Sequence, residues 1–299
     1  MSMPRLQTLL KRIPPRSWEA IVLERYGPEF FPLVEGSQPL YVIDGDLVPD
    51  SDAPTAVVKY ISDRAKGLSE IQFACRYSGS VGPRVFSITT DPDVLPEGIE
   101  IVMDQAYGSL SYARSQGIPF SDPAVLRNLA FAVAELAYAM EQQGDAHCDL
   151  KPANIFLYFT PEGQSYYRLG DFGISRSLED VVQLMSGDLR FFGTSGYMSP
   201  EFLMEGSSHP TPDIFSYGMV LYWAAVGELP SQLEFDHTAS SRESYAALMQ
   251  TGHYRRVLQE KLPVFLDPVI QHVIQDCTDQ SSARPTSFRE VLDFLAEHM

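Results

Sequence analysis

The chain has 299 residues, 44% of them apolar, which is enough for one large domain or two modest lobes around a real hydrophobic core and too apolar for a disordered segment. A net charge of −17 argues against nucleic acid as a partner, and no apolar run reaches the roughly 18 residues that a membrane-spanning helix needs. Cys75, Cys148 and Cys277 lack metal-ligand spacing, and Pro14-Pro15 follows too soon on a short apolar stretch for a secretory signal, so the expectation is a reduced, cytoplasmic protein.

Leu6, Leu9, Leu10 and Ile13 fall at helical spacing, and Pro14-Pro15 ends the pattern. Residues 5–13 therefore read as a short amphipathic helix. Arg5, Lys11, Arg12 and Arg16, with no acid, make residues 1–16 +4 and leave −21 on the remainder. Such a helix docks onto a partner or membrane surface, or packs on its own domain. Short segments rich in Val, Ile and aromatics then predict strands at Leu40–Ile43, Thr55–Ile61, Val85–Thr89 and Ile99–Met103, with one helix near Ser69–Tyr77. After Gly108 the character changes. Ser121-Asp122-Pro123 opens a long helix over Ala124–Gln142, and residues 212–227, 264–277 and 286–298 also read as helices. Two short strands are expected around Ile155–Tyr158 and Tyr167–Leu169. The pattern predicts an α+β chain: a small β-rich lobe, then a larger α-helical lobe, joined near Asp104–Tyr107.

The residues that carry chemistry are grouped in the second part. His147-Cys148-Asp149-Leu150-Lys151-Pro152-Ala153-Asn154 matches H-R-D-L-x-x-x-N at all but one fixed position, Asp171-Phe172-Gly173 follows, and Ser199-Pro200-Glu201 stands near A-P-E. On these motifs, in this order, the chain resembles the eukaryotic-type Ser/Thr protein kinases. The resemblance implies a bilobal protein-kinase-like fold, with an N-terminal extension (1–30), an N-lobe (31–103), a hinge (104–107) and a C-lobe (108–299). It also implies ATP and Mg²⁺ as cofactors and a protein substrate with a Ser or Thr acceptor.

The resemblance assigns Asp149 as the catalytic base, Lys151 as a point charge at the γ-phosphate, and Asn154 and Asp171 as the oxygen ligands of Mg²⁺. Lys151 and Gly193-Thr194-Ser195-Gly196-Tyr197 point to Ser/Thr rather than tyrosine specificity, with Thr194 bonding Asp149 and Lys151. Ala56-Val57-Val58-Lys59 resembles V-A-I-K, so Lys59 would bridge the α- and β-phosphates and pair with Glu70. Met103 would be the gatekeeper, Asp104 to Ala106 would meet the adenine through backbone groups, and Ser109 would lie near the ribose. Asp213 would accept backbone N–H groups of the catalytic loop, and Arg284 would pair with Glu201.

Four departures stand out. The glycine-rich loop is reduced to Gly36 if it is aligned on Val34–Tyr41, with Pro39 removing a donor; alternatively Asp44-Gly45 is a tight hairpin turn between Tyr41–Ile43 and Asp46–Val48. Val57 and Phe156 add bulk above and below the expected adenine ring, which predicts weak ATP binding. Cys148 replaces the arginine that would hold an activation-segment phosphate, and reads as a buried thiol or a redox switch. These losses support a second reading, a pseudokinase that binds partners without catalysis.

Overall fold

The computed structural model describes residues 17–33, 39–49, 51–96, 98–185, 193–194, 196–199, 212–230, 253–264, 266–279 and 284–299. The chain divides into two compact units: one takes in the chain up to Cys75 together with Arg84–Gln105, the other Arg76–Pro83 and everything from Ala106. The first is built on a β-sheet and the second mainly on helices, so the chain is α+β as its pattern predicts.

In the first unit β1 (Phe30–Leu33), β2 (Leu40–Asp44), β3 (Thr55–Ile61), β4 (Val85–Thr89) and β5 (Ile99–Asp104) form an antiparallel sheet in the order β1-β2-β3-β5-β4. Strand β3 lies at its centre and alternates with the strand period of two. Ala56, Val58 and Tyr60 join a core with Tyr41, Ile43 and Val102, while Ile61 packs with Ile99 and Ile101 against Ile71 of the helix Arg64–Arg76. Gly67 brings that helix close to the sheet, since a Cβ there would stand 2.8 Å from Ile99 Cδ1.

The registers settle the alternative left open at the glycine-rich loop. Leu33 pairs with Leu40, so residues 34–39 connect β1 to β2, and Gly36 belongs to this connection but lies outside the described residues. The hairpin alternative is overturned. Gly45–Leu47 is a short 3₁₀ turn capped by Asp44, whose Oδ1 accepts the Asp46 N–H at 3.0 Å, and β2 pairs with β1 and β3.

The helix Trp18–Tyr26 lies within the stretch assigned to an extension, yet it forms part of the first unit's core. Ser17 caps its start, Ile21 and Val22 are buried, and Trp18 stacks on Tyr60 at 4.6 Å. Its last turn is tied to Glu100, a fully buried carboxylate on β5. Arg25 Nη2 and the Tyr26 hydroxyl each donate to Glu100 Oε1 at 2.9 Å, and the Tyr60 hydroxyl donates to Oε2 at 2.8 Å. The Thr89 hydroxyl also donates to Oε1, at 3.1 Å, so four donors satisfy a charge that burial would otherwise penalise heavily. The amphipathic stretch 5–13 lies outside the described residues.

In the second unit the helix Pro123–Glu141 is started by Asp122, whose Oδ1 accepts the N–H groups of Ala124 and Val125. Its apolar residues Leu126, Leu129, Ala130, Val133 and Ala137 are buried. The helix Pro212–Val226 is buried over nearly its whole length, with the Tyr217 hydroxyl donating to the Ala130 carbonyl at 2.8 Å. Helices Pro268–Cys277 and Phe288–His298 complete this core. Short strands carry the loops: β6 (Gly108–Ser109), β8 (Ile155–Phe159) and β9 (Ser165–Leu169) form one sheet, and β7 (Asp145–Ala146) pairs with β10 (Arg176–Ser177). Among the described residues no helix is long and apolar enough to cross a membrane.

Candidate active site

In the first unit the charge pair predicted from sequence is formed. Lys59 Nζ donates to Glu70 Oε1 at 2.5 Å, and both side chains are buried, at 8% and 4% exposure. Strand β3 supplies the lysine and the helix Arg64–Arg76 the glutamate, so the pair fixes the helix against the sheet. Val57 is buried and faces Met103 across the β3–β5 pairing. Asp104 closes the end of β5: its Oδ1 accepts the Arg84 N–H at 2.9 Å, and its own N–H donates to the Arg84 carbonyl at 2.9 Å.

In the second unit Asp149, Lys151, Asn154 and Thr194 converge. The Thr194 hydroxyl donates to Asp149 Oδ1 at 2.7 Å and accepts from Lys151 Nζ at 2.7 Å. Lys151 Nζ also donates to Asp149 Oδ2 at 2.8 Å. Asn154 Nδ2 donates to the same Oδ2 at 3.0 Å and to the Asp149 carbonyl at 2.9 Å. The carboxylate is thus held by three side chains while staying partly accessible.

Behind these groups, Asp213 fixes the loop that carries them. It is 3% exposed, and its Oδ2 and Oδ1 accept the N–H groups of His147 and Cys148 at 2.6 and 2.8 Å. Burial raises the Asp213 carboxyl above the usual range, and the backbone N–H bonds from His147 and Cys148 oppose that rise. His147 is fully buried with both ring nitrogens engaged. Nε2 lies 3.0 Å from the Gly170 carbonyl, and Nδ1 accepts the Asp149 N–H at 3.3 Å, a pattern that the neutral Nε2–H tautomer satisfies. Cys148 sits at φ 67° in the left-handed region, and the Ser175 hydroxyl donates to the His147 carbonyl at 3.1 Å.

Asp171 is also left-handed, at φ 61°, and exposed. The following Phe172 is 2% exposed and stacks on Tyr77 with ring centroids 6.0 Å apart. Gly82 makes room for that ring, since a Cβ there would be 2.8 Å from Phe172 Cε2. Tyr77 is anchored in turn: its hydroxyl donates to Asp145 Oδ2 at 2.6 Å, an oxygen that also pairs with Arg76.

Residues 64–294 match the family described as protein kinase domain. The chain belongs to this protein kinase family. It is 40% identical over 105 residues to a probable serine/threonine-protein kinase, PkwA, of Thermomonospora curvata, a match covering 35% of this chain and 13% of that one. It is 35% identical over 99 residues to the inhibitor of nuclear factor kappa-B kinase subunit epsilon of Mus musculus, covering 30% and 13%. A third relative, a probable serine/threonine-protein kinase of Corynebacterium efficiens, is 28% identical over 185 residues, covering 60% and 27%. The matched stretches thus span 27% or less of these relatives.

Within the kinase domain the structure shows what surrounds two of the predicted site residues, Ser109 and Phe156. Ser109 is buried at 2% exposure, and its hydroxyl oxygen accepts the Tyr112 N–H at 3.1 Å, capping the helix Leu110–Ser115. That oxygen therefore has a structural job as a helix cap. The Phe156 ring fills the space that a side chain at position 170 would take: a Cβ on Gly170 would stand 2.1 Å from Phe156 Cε2. Glu201, the expected partner of Arg284, lies outside the described residues. Arg284 itself is 3% exposed, donates from Nε to the Asp279 carbonyl at 2.5 Å and lies over the Phe215 ring at 5.4 Å. No motif singles out Gly170, whose one signal in the sequence is its place immediately before the metal-ligand candidate Asp171.

Proposed function

We propose that this kinase domain transfers the γ-phosphoryl group of ATP to Ser or Thr hydroxyls of protein substrates. The observation that carries the reading is the closed set of bonds among Asp149, Lys151, Asn154 and Thr194. An acceptor hydroxyl attacks the γ-phosphorus, a new O–P bond forms, the bond to the β–γ bridging oxygen breaks, and ADP leaves. Asp149 orients the hydroxyl and takes its proton. Lys151 supplies a positive charge beside the base, and Thr194 holds base and lysine in one geometry. In the first unit the buried Lys59, oriented by Glu70, is the cation suited to the other phosphates.

The donor set fits Mg²⁺. Asp171 offers an exposed carboxylate, and Asn154 commits its amide nitrogen to Asp149, which leaves its carbonyl oxygen as the donor for a hard cation. Among the described residues no group of three or more His, Cys, Asp or Glu forms a closed metal cage. One carboxylate and one amide oxygen match an ion that completes its shell with phosphate oxygens and water. Bound there with ATP, Mg²⁺ would neutralise charge on the transferring phosphates.

The test is transfer of labelled phosphate from MgATP to a generic basic protein substrate, with Asp149→Asn and Asp171→Asn beside wild type. Phosphoserine or phosphothreonine that depends on both aspartates is the expected product. Equal, negligible transfer by all three proteins would favour the pseudokinase reading, and phosphotyrosine as the main product would overturn the Ser/Thr assignment.

A further inference from the structure

Asp145 is a buried carboxylate beside the catalytic loop that the proposed transfer does not use. It is 4% exposed, lies on β7 two residues before His147, and is followed by Ala146, which is 1% exposed. Its Oδ2 accepts the Tyr77 hydroxyl at 2.6 Å and pairs with Arg76 Nη1. All three residues belong to the second unit. A buried ion pair contributes little net stability over apolar side chains of similar volume. What it supplies is geometry: two donors meet on one oxygen, and the Tyr77 ring is fixed by its far end. Burial and the bond to Asp145 push the Tyr77 hydroxyl well up, so it remains a donor.

The residues after Tyr77 close on it. Its carbonyl accepts the N–H groups of Ser80 at 3.1 Å and Gly82 at 2.9 Å, together with the Ser80 hydroxyl at 3.1 Å. This turn supplies two of the walls around Phe172. One is the Tyr77 ring, inclined at 29° to the Phe172 ring. The other is the bare Cα of Gly82, where a side chain would meet that ring. The third wall is the His147 ring, whose centroid is 5.4 Å from that of Phe172. Asp145 is tied to two of the three, by a bond to Tyr77 and by two residues of chain to His147. Asp171 sits at φ 61°, a conformation unfavourable for an L-residue that persists only where the surroundings hold it. On one side the Gly170 N–H donates to the Asn154 carbonyl at 2.9 Å. On the other, the seat of Phe172 does the holding.

We propose that Asp145, paired with Arg76, is a positioning residue for phosphoryl transfer: it pins Tyr77 against Phe172 and thereby keeps the Asp171 carboxylate in place for Mg²⁺. The inference rests on the kinase reading above and deepens it, because Asp145 acts through Tyr77 and Phe172 rather than on the metal itself. Without the bond the Tyr77 ring is free to shift, Phe172 loses a wall, and Asp171 can relax out of the left-handed region.

The experiment uses Mn²⁺, which shares the preference of Mg²⁺ for oxygen ligands and is visible by electron paramagnetic resonance. Mn²⁺ affinity in the presence of ADP, kcat, the KM for protein substrate and the melting temperature are measured in wild type, Asp145→Leu, Asp145→Asn, Tyr77→Phe and the double variant of Asp145→Leu with Tyr77→Phe. Asp145→Leu and Tyr77→Phe should each weaken Mn²⁺ binding about tenfold, the low end of what a hydrogen bond to a charged group contributes. Both should lower kcat and leave the KM for protein substrate within about twofold. Asp145→Asn keeps an acceptor oxygen for Tyr77 and should bind Mn²⁺ within about twofold of wild type. In the double variant the second change should have no further effect, because both remove the same bond. Tyr77→Phe keeps the ring and remains informative even if Asp145→Leu does not fold. If wild type binds Mn²⁺ and transfers phosphate while Tyr77→Phe binds Mn²⁺ equally well, or if only melting temperatures fall, or if the two changes simply add, the positioning role is refuted and the kinase reading stands. If wild type neither binds Mn²⁺ with ADP nor transfers phosphate, the kinase reading falls and the positioning role falls with it.

Discussion

Removing the Asp213 carboxylate tests how the catalytic loop is held. Asp213→Ala would leave the N–H groups of His147 and Cys148 without their acceptors, in a region where His147 is fully buried and Cys148 is 8% exposed. A buried donor left unpaired costs about 1–3 kcal/mol, so the two together should cost about 2–6 kcal/mol. The loop would lose more than stability. Cys148 sits at φ 67°, where an L-residue is disfavoured by about 1–2 kcal/mol, and the Asp213 bonds are what hold it there. Freed from them, the loop can relax and carry Asp149 away from Lys151 and Thr194. Asp213→Asn keeps one acceptor oxygen but turns an amide N–H₂ toward the second backbone donor, so it should fall between wild type and alanine. Urea denaturation gives the stabilities, and phosphate transfer at saturating ATP gives the rates. An alanine variant within about 0.5 kcal/mol of wild type, with its rate intact, would refute the argument that this carboxylate positions the loop.

Thr194→Val should lower kcat by about tenfold or more while changing the KM for ATP little, because it removes the hydroxyl that joins Asp149 to Lys151; unchanged steady-state kcat would contradict this, and phosphorylation of Thr194 should inhibit for the same reason. Deleting residues 1–26 should destabilise the domain by about 3 kcal/mol or more through loss of buried Ile21 and Val22, whereas deleting 1–16 leaves those contacts in place; equal melting temperatures for the two truncations would count against the helix as core. A thiol reagent should label exposed Cys75 in the native protein and spare Cys148 and Cys277, whose thiols burial pushes well up; mass spectrometry of the labelled protein checks this, and rapid labelling of Cys148 would restore the redox-switch reading. Phosphatase-treated protein should keep its initial rate, and a fall of about tenfold, or 1.4 kcal/mol in the barrier, would show that an activation-segment phosphate is needed.

Elements with a clean period or cap were legible in the sequence. Strands β3 and β4 fall on the predicted residues, because each is a short run rich in β-branched residues bounded by turn residues. The helix Pro123–Glu141 begins where Asp122-Pro123 signals it. Strand β1 was missed because Pro32 weakens the local signal; the strand exists through pairing with β2 and lies at the sheet edge, where a residue without an N–H is tolerated. The helix Trp18–Tyr26 was missed because its stability comes from the Glu100 network and Tyr60, partners distant in sequence. At the site, the positions of Asp149, Lys151, Asn154 and Asp171 followed from motif spacing. The role of Gly170 did not, because an absent side chain gains meaning only from the ring that fills its place.

The same logic bears on Cys148. An arginine there would hold an activation-segment phosphate through charge-assisted bonds, each contributing about 1.5–3 kcal/mol. This chain has an apolar seam instead. Cys148 packs in one cluster with Ala146, Val181 and Met198, bordered by Ile174 and Leu178. Val181 lies on a helix, Leu178–Met185, that follows β10, and it is fully buried. Full burial of a Val or Met side chain stabilises by about 1.5–3 kcal/mol, so Val181 and Met198 together match what a phosphate–arginine contact would supply. The two devices differ in control. A phosphate clamp is made and removed by other enzymes, whereas an apolar seam is present whenever the chain is folded. The thiol suits that seam because burial keeps it neutral, and its small volume leaves room for Val181 and Met198. An arginine placed at 148 would have to bury a charge among these side chains, at a cost of several kcal/mol unless an anion met it. Retained activity after dephosphorylation is therefore the expected consequence of packing at Cys148, and control of such a kinase must act on something other than a phosphate held at this position.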